Sequence, residues 1–218
     1  MHATHLCRLL RLRRRALPVV LLFLLALPAP PAPPARAAEA LAPLSEVVDE
    51  LKQGGLVIYF RHAATDKSQS DAAADIERCE TQRNLSEEGR AQAESIGKAV
   101  KALGIPVGKV FSSPFCRCVD TAKLAFGRAE VDDDLFFAVG ASKDDVARMT
   151  KTLRGMLSAK PDEGTNTVIV SHTANLREAA GIWPKPEGVA IVFRPLGDDR
   201  FEAVAKADPD EWSRTAGM

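Results

Sequence analysis

The sequence predicts an α/β fold, a three-layer sandwich in which a mostly parallel central sheet carries helices on both faces. Two observations predict it. The runs Leu56-Val57-Ile58-Tyr59-Phe60 and Thr167-Val168-Ile169-Val170 are branched or aromatic almost without a break, as strands buried on both faces of a parallel sheet are. Between and around them lie segments whose apolar residues recur at helical spacing, so strand and helix alternate along the chain.

The first 37 of the 218 residues stand apart. Arg8, Arg11, Arg13, Arg14 and Arg15 form a positive leader, Ala16 to Leu27 is an apolar run, and Ala35-Arg36-Ala37 is a small-x-small cleavage site. This is the pattern of a secretory signal peptide, with an apolar run too short to span a bilayer comfortably. It predicts cleavage after Ala37, a periplasmic or secreted chain and no stable membrane insertion afterwards. Six arginines and no acids leave with it, so 23 basic residues face 29 acidic ones, a net charge near −6. A negative chain without a basic run excludes nucleic acid as a natural partner. Residues 38–218 suit one domain with a full hydrophobic core. Of the four histidines only His62 and His172 remain in it.

In chain order, Ser45 is expected to cap a short helix over Glu46 to Gln53, stopped by Gly54. The first buried strand then runs into Arg61-His62. Ligands of open α/β sheets sit beyond the carboxyl ends of strands, so this pair stands where a site is expected. The polar stretch to Arg83 has no period and is long for a loop, the kind that serves function. Ser86 caps an amphipathic helix with Ala93, Ile96, Val100 and Leu103 on one face, ended by Gly104 and Pro106. Lys109 to Ser112 reads as a strand, and Ser113-Pro114-Phe115-Cys116-Arg117 opens another helix. Arg117 is thus expected in a first turn whose free backbone N–H groups welcome an anion. Ala129 to Val131 reads as a third strand, followed by the acidic triplet Asp132-Asp133-Asp134. A helix from Ser142 places Val146, Met149, Leu153, Met156 and Leu157 toward the core. The second buried strand delivers His172 to its carboxyl end, and Gly188 to Phe193 and Phe201 to Val204 close the sheet toward one edge.

Each remaining histidine therefore ends a buried strand, and Arg61 and Arg117 hold equivalent strand-to-helix positions. Guanidinium groups offer paired donors to phosphate oxygens, and imidazole can be nucleophile or proton donor at neutral pH. These parts fit phosphoryl transfer. They carry a resemblance to the histidine phosphatase superfamily, whose members include phosphoglycerate mutases. Its Arg-His-Gly motif stands here as Arg61-His62-Ala63, and its helix opening as Leu85, Ser86, Gly89, Gln92 and Ala93. Its Ser-Ser-Pro-x-x-Arg-x-x-x-Thr-Ala motif is complete from Ser112 to Ala122, and its second histidine motif is Val170-Ser171-His172.

The resemblance implies a phosphoglycerate mutase-like fold and a phosphatase acting on phosphate monoesters of small molecules without cofactor or metal. His62 would attack phosphorus to give a phosphohistidine, with Arg61, Arg117 and His172 holding the phosphate oxygens. A phosphomutase, or a catalytically weak phosphate-binding protein, would share these residues. One branch of the family supplies a proton-donating Glu in a Leu-x-Glu pattern, which reads Leu135-Phe136-Phe137 here; another supplies an Asp after the second histidine, where Thr173 stands. Asp133 and Asp134 are the candidate substitutes. Cys79, Cys116 and Cys118 remain after signal removal, and an oxidising compartment predicts one disulfide, Cys79 with Cys116 or Cys118. Cys116-x-Cys118 lacks the further soft ligand that a metal site needs. The oligomeric state is not encoded legibly.

Overall fold

In the computed structural model of the protein, residues 41–218 are described; the signal-peptide segment and its cleavage site lie outside them. Seven strands form one sheet in the order β1-β7-β6-β2-β5-β3-β4. They are β1 (Ala42–Pro43), β2 (Val57–Arg61), β3 (Val107–Ser112), β4 (Glu130–Val131), β5 (Asn166–Ser171), β6 (Ala190–Gly197) and β7 (Arg200–Ala207). Every pairing is parallel except those of β6 with β2 and β7. The expected mostly parallel sheet is therefore present.

The helices are α1 (Leu44–Gln53), α2 (Glu87–Ala102), α3 (Cys116–Phe126), α4 (Lys143–Ser158), α5 (Thr173–Ala180) and α6 (Glu211–Thr215). Alternation along β2 sends Ile58 and Phe60 to one face, where they pack with Leu51 of α1, Ile96 of α2, Ala122 of α3 and Trp212 of α6. Val57 and Tyr59 go to the other, against Leu153 and Leu157 of α4 and Leu176 of α5. All six β5 residues are buried, as a central strand covered on both sides requires.

Ser86 accepts a hydrogen bond from Gly89 N at 3.0 Å and Ser142 one from Asp145 N at 3.1 Å, so both are the caps their positions predicted. Helix α1 differs. It begins at Leu44 after Pro43 rather than at Glu46 after Ser45, because the Leu44 N–H finds the Glu211 carboxylate of α6 at 2.7 Å and needs no local cap. Helix α6 and strand β1 have no counterpart in the sequence reading; both are short, and their packing is long-range. No helix among the described residues is long and apolar enough to cross a membrane.

Candidate active site

Strands β2 and β5 are parallel neighbours in register, with Arg61 opposite Ser171. The next residue of each strand is a histidine, so His62 and His172 leave the sheet side by side. The His62 N–H donates to Ser171 O at 3.1 Å, and the two rings meet edge-on with centroids 5.5 Å apart. Nδ1 of His62 lies 2.9 Å from the Ala63 carbonyl oxygen. A carbonyl only accepts, so Nδ1 carries the hydrogen and Nε2 keeps its lone pair. His172 places Nε2 2.8 Å from Ser113 Oγ at the end of β3. Tyr59 of β2 fixes the strand end beneath it, donating its hydroxyl to His172 O at 2.6 Å. Burial, and secondly the Arg117 charge, holds both imidazoles well below the ordinary histidine range. Both are thus neutral at physiological pH.

Three arginines surround them. Arg61 donates Nη2 to Glu187 at 3.0 Å. Arg117, in the first turn of α3, lies over the Phe115 ring at 4.3 Å and donates Nη1 to Asp71 at 3.1 Å and to Arg83 O at 3.3 Å. Arg83 reaches Glu187 at 3.9 Å. Each of the three keeps a buried Nε–H that has no acceptor among the described residues. All three line one cavity of about 250 Å³, together with His62, His172, Phe137, Val139, Thr173, Trp183 and Lys185. Buried donors are ordinarily paired, and each unpaired one costs roughly 1–3 kcal/mol. The cavity itself gathers three guanidinium groups with no carboxylate in its lining, an arrangement that favours an oxyanion.

The backbone around the nucleophile candidate is closely set. Thr121 Oγ1 accepts from Ala63 N at 3.0 Å. A Cβ on Gly89 of α2 would stand 1.8 Å from the Ala64 carbonyl oxygen, so only glycine lets the helix start approach this loop. The long loop is held from several directions. Thr65 bridges Leu85, Gln82 accepts from Cys116 N at 2.9 Å, and Asp71 accepts from Arg83 N at 2.8 Å. Cys79 and Cys116 form a disulfide with a Cα–Cα distance of 5.7 Å. The open pairing is thereby decided: Cys116 faces the loop, while Cys118, two residues on along α3, points inward to lie 3.6 Å from His172 Nε2 as a free thiol. Burial pushes that thiol up to about 12.

Two expectations need correction. The α3 start does not present a free row of N–H groups, because Gln82 occupies Cys116 N and Phe115 O occupies Cys118 N at 2.8 Å. The side chain of Arg117, rather than the helix terminus, serves the cavity. The acidic triplet is likewise not brought to it. Asp132 accepts from Asp134 N at 2.8 Å and winds the segment into a 3₁₀ turn over Asp133–Leu135, driving Leu135 into the core. Asp134 is left accepting from Thr152 at 2.6 Å and paired with Arg148, and Asp133 lines a different hollow beside Arg148. Neither lines the histidine cavity, and no Asp or Glu among the described residues does. Asp71 and Glu187 stand behind the arginines as their anchors.

Sequence reasoning found His62, His172, Arg61 and Arg117, which the structure brings together. It missed Arg83, Asp71, Glu187 and Trp183. Arg83 had a signal in its place just before the Asn84-Leu85-Ser86 helix opening; the others lie in segments with no period to read. Among the described residues no three His, Cys, Asp or Glu side chains are grouped to hold a metal ion.

Residues 57–136 match the family model of the histidine phosphatase superfamily (branch 1). No curated protein matches the chain. Among solved structures, the protein histidine phosphatase SixA complexed with tungstate is similar, with 16% identity and a TM-score of 0.52, covering 71% of this chain and 97% of its own. An Escherichia coli str. K-12 substr. MG1655 protein with a proposed role as α-ribazole-5′-P phosphatase has 13% identity and a TM-score of 0.54, over 72% and 98%. Phosphoserine phosphatase of Entamoeba histolytica in complex with 3-phosphoglyceric acid has 14% identity and a TM-score of 0.50, over 72% and 98%. The fold is thus the phosphoglycerate mutase-like α/β sandwich.

Proposed function

We propose, from the histidine phosphatase superfamily match of residues 57–136 and the phosphoglycerate mutase-like fold, that the protein is an exported, metal-independent phosphatase that works through a phosphohistidine on His62. The observation that carries this reading is the set of three arginines that line one cavity with a neutral imidazole whose Nε2 is free to attack. Phosphoryl transfer needs little more than such placement, a nucleophile in line and donors on the equatorial oxygens. The Nε2 lone pair forms a P–N bond as the ester P–O bond breaks and its electrons leave with the alcohol oxygen. Water then attacks phosphorus and gives up a proton that the departed oxygen takes to become the alcohol, the P–N bond breaks, and His62 recovers its lone pair. The Ala63 carbonyl, accepting from Nδ1, steadies the positive charge that the ring acquires between the two steps. Arg61, Arg83, Arg117 and His172 serve the phosphate in both. The tungstate in the similar phosphatase is an oxyanion of phosphate-like shape, which fits this use of the cavity.

Periplasmic or secreted placement is supported by the signal-like pattern of residues 1–37 and by the Cys79–Cys116 disulfide. A small phosphorylated molecule is the partner that the cavity volume suits. Rapid quenching of turnover with labelled substrate tests the intermediate. Base-stable, acid-labile label is expected on the peptide holding His62, and His62→Ala is expected to lower kcat by about three orders of magnitude or more. Ordinary turnover by that variant would refute the reading. Stoichiometric phosphate binding without any labelled peptide would favour the phosphate-binding alternative.

A further inference from the structure

We propose that Val139 and Trp183, with Phe137 behind them, form a leaving-group subsite, and that the substrates are aryl phosphates rather than phosphates of sugars or glycerol. The inference rests on the phosphatase reading and extends it to substrate class. Large apolar side chains are scarce on the described surface, yet Val139 and Trp183 are 64% and 50% exposed and both border the histidine cavity. Phe137 continues the wall inward, its ring centroid 5.0 Å from that of His172. Lys185 and Arg177 each lie 5.3 Å from the Trp183 ring centroid and hold the ring at the mouth.

The cavity is thus divided by chemistry. Its floor is cationic and suits the phosphoryl group; its wall is apolar and offers a polyol nothing but Thr173 and Lys185 to bond. Bringing a hydroxylated leaving group against that wall strips hydroxyls of water without replacement, which is unfavourable. An aromatic ring loses nothing there and gains contact area. The missing carboxyl points the same way. No Asp or Glu lines the cavity, so no side-chain acid is placed to protonate a departing alkoxide, whereas an aryl oxide departs with its electron pair unaided. A larger, more polar hollow of about 680 Å³ lies across the Arg61–Glu187 pair, lined by Lys67, Ser86 and Gln92. It shares Arg61 and Lys185 with the histidine cavity but is lined by no aromatic side chain, so an aryl group finds its apolar contact at the Val139–Trp183 wall instead.

The test compares 2-naphthyl phosphate with phenyl phosphate, whose alcohols are of nearly equal acidity, so that preference reports contact and not leaving ability. The second ring should raise kcat/KM about tenfold, the effect of burying one more small apolar surface. In Trp183→Ser and Val139→Ser the ratio should fall toward one. Leu196→Ser, which removes an exposed apolar side chain outside this wall, should keep both ratio and activity. An unchanged ratio in both wall variants, or faster turnover of glycerol phosphate than of phenyl phosphate, overturns the subsite. Should the protein turn over none of these, the phosphatase reading fails, and calorimetry with naphthylphosphonate against methylphosphonate still decides the subsite. Equal affinities would refute it, and tighter naphthyl binding lost in Trp183→Ser would uphold it.

Discussion

His62 and His172 are held neutral by burial and by the charges of Arg117, Arg61 and Arg83 around them, and stability depends on pH accordingly. Their folded-state pKa values lie well below the unfolded value near 6.5, so just below that pH the unfolded chain binds more protons than the folded one. Stability is then full above about pH 6.5 and is lost as the pH falls below it, with a slope of up to about 1.4 kcal/mol per pH unit for each histidine. Urea unfolding of the described fold between pH 7 and pH 5 should show that slope, and His62→Gln combined with His172→Gln should remove most of it. A slope that survives the double substitution would assign the effect elsewhere. The same two residues were legible in the sequence because each ends a buried strand inside a motif, Arg61-His62-Ala63 and Val170-Ser171-His172, that fits the same family. Glu187 was not legible at all. It earns its place by accepting from Arg61 and from Thr65, partners more than 120 positions away, and no local pattern encodes such a contact.

At the scale of elements, the loop between β2 and α2, aperiodic but long in the way that serves function, is a built part of the site. It supplies Asp71 to Arg117 and Arg83 to the cavity, and the Cys79–Cys116 disulfide ties it to the start of α3. Closing the loop between those cysteines, which are 37 positions apart, should stabilise the fold by about 4 kcal/mol in the chain-entropy account. Cys79→Ser with Cys116→Ser should therefore lower the unfolding free energy by an amount of that order. It should also raise KM for any phosphate substrate, since Asp71 and Arg83 lose their tether. Chemical denaturation and steady-state kinetics on the double variant check both, and an unaltered KM would show that the loop holds its shape without the bond. The helices α2 and α4 were legible down to their caps because Ser86 and Ser142 act within three residues. The start of α1 was not, because its acceptor comes from α6.

For the whole molecule, the alternation of buried strands and amphipathic helices was enough to anticipate a layered, mostly parallel sheet. It could not reveal strand order, which depends on pairings such as β6 with β2 that join distant segments. Nor did it reveal α6, whose Trp212 is completely buried against Phe60 with ring centroids 5.6 Å apart. The described fold gathers three arginines around one cavity with no carboxylate in its lining, so an anion bound there should raise stability globally. Inorganic phosphate at about 100 times its dissociation constant is expected to add about 2.7 kcal/mol, or several degrees in Tm for a domain of this size. Differential scanning calorimetry across a phosphate series measures it. Sulfate or chloride acting equally at matched ionic strength would show only a general salt effect.

The in-register pairing of β2 with β5 has a consequence for how the chain can vary. Side chains along a strand alternate between faces, so one inserted or deleted residue in either strand would not nudge its histidine by a fraction of an ångström but turn it to the opposite side of the sheet. Exchanges among Val, Ile and Leu in Val57–Phe60 or Thr167–Val170 leave the count untouched and cost little by comparison. These strands serve as rulers: their composition is free to drift within the apolar set, while their length is held, because the ladder of paired residues measures out where the two imidazoles meet.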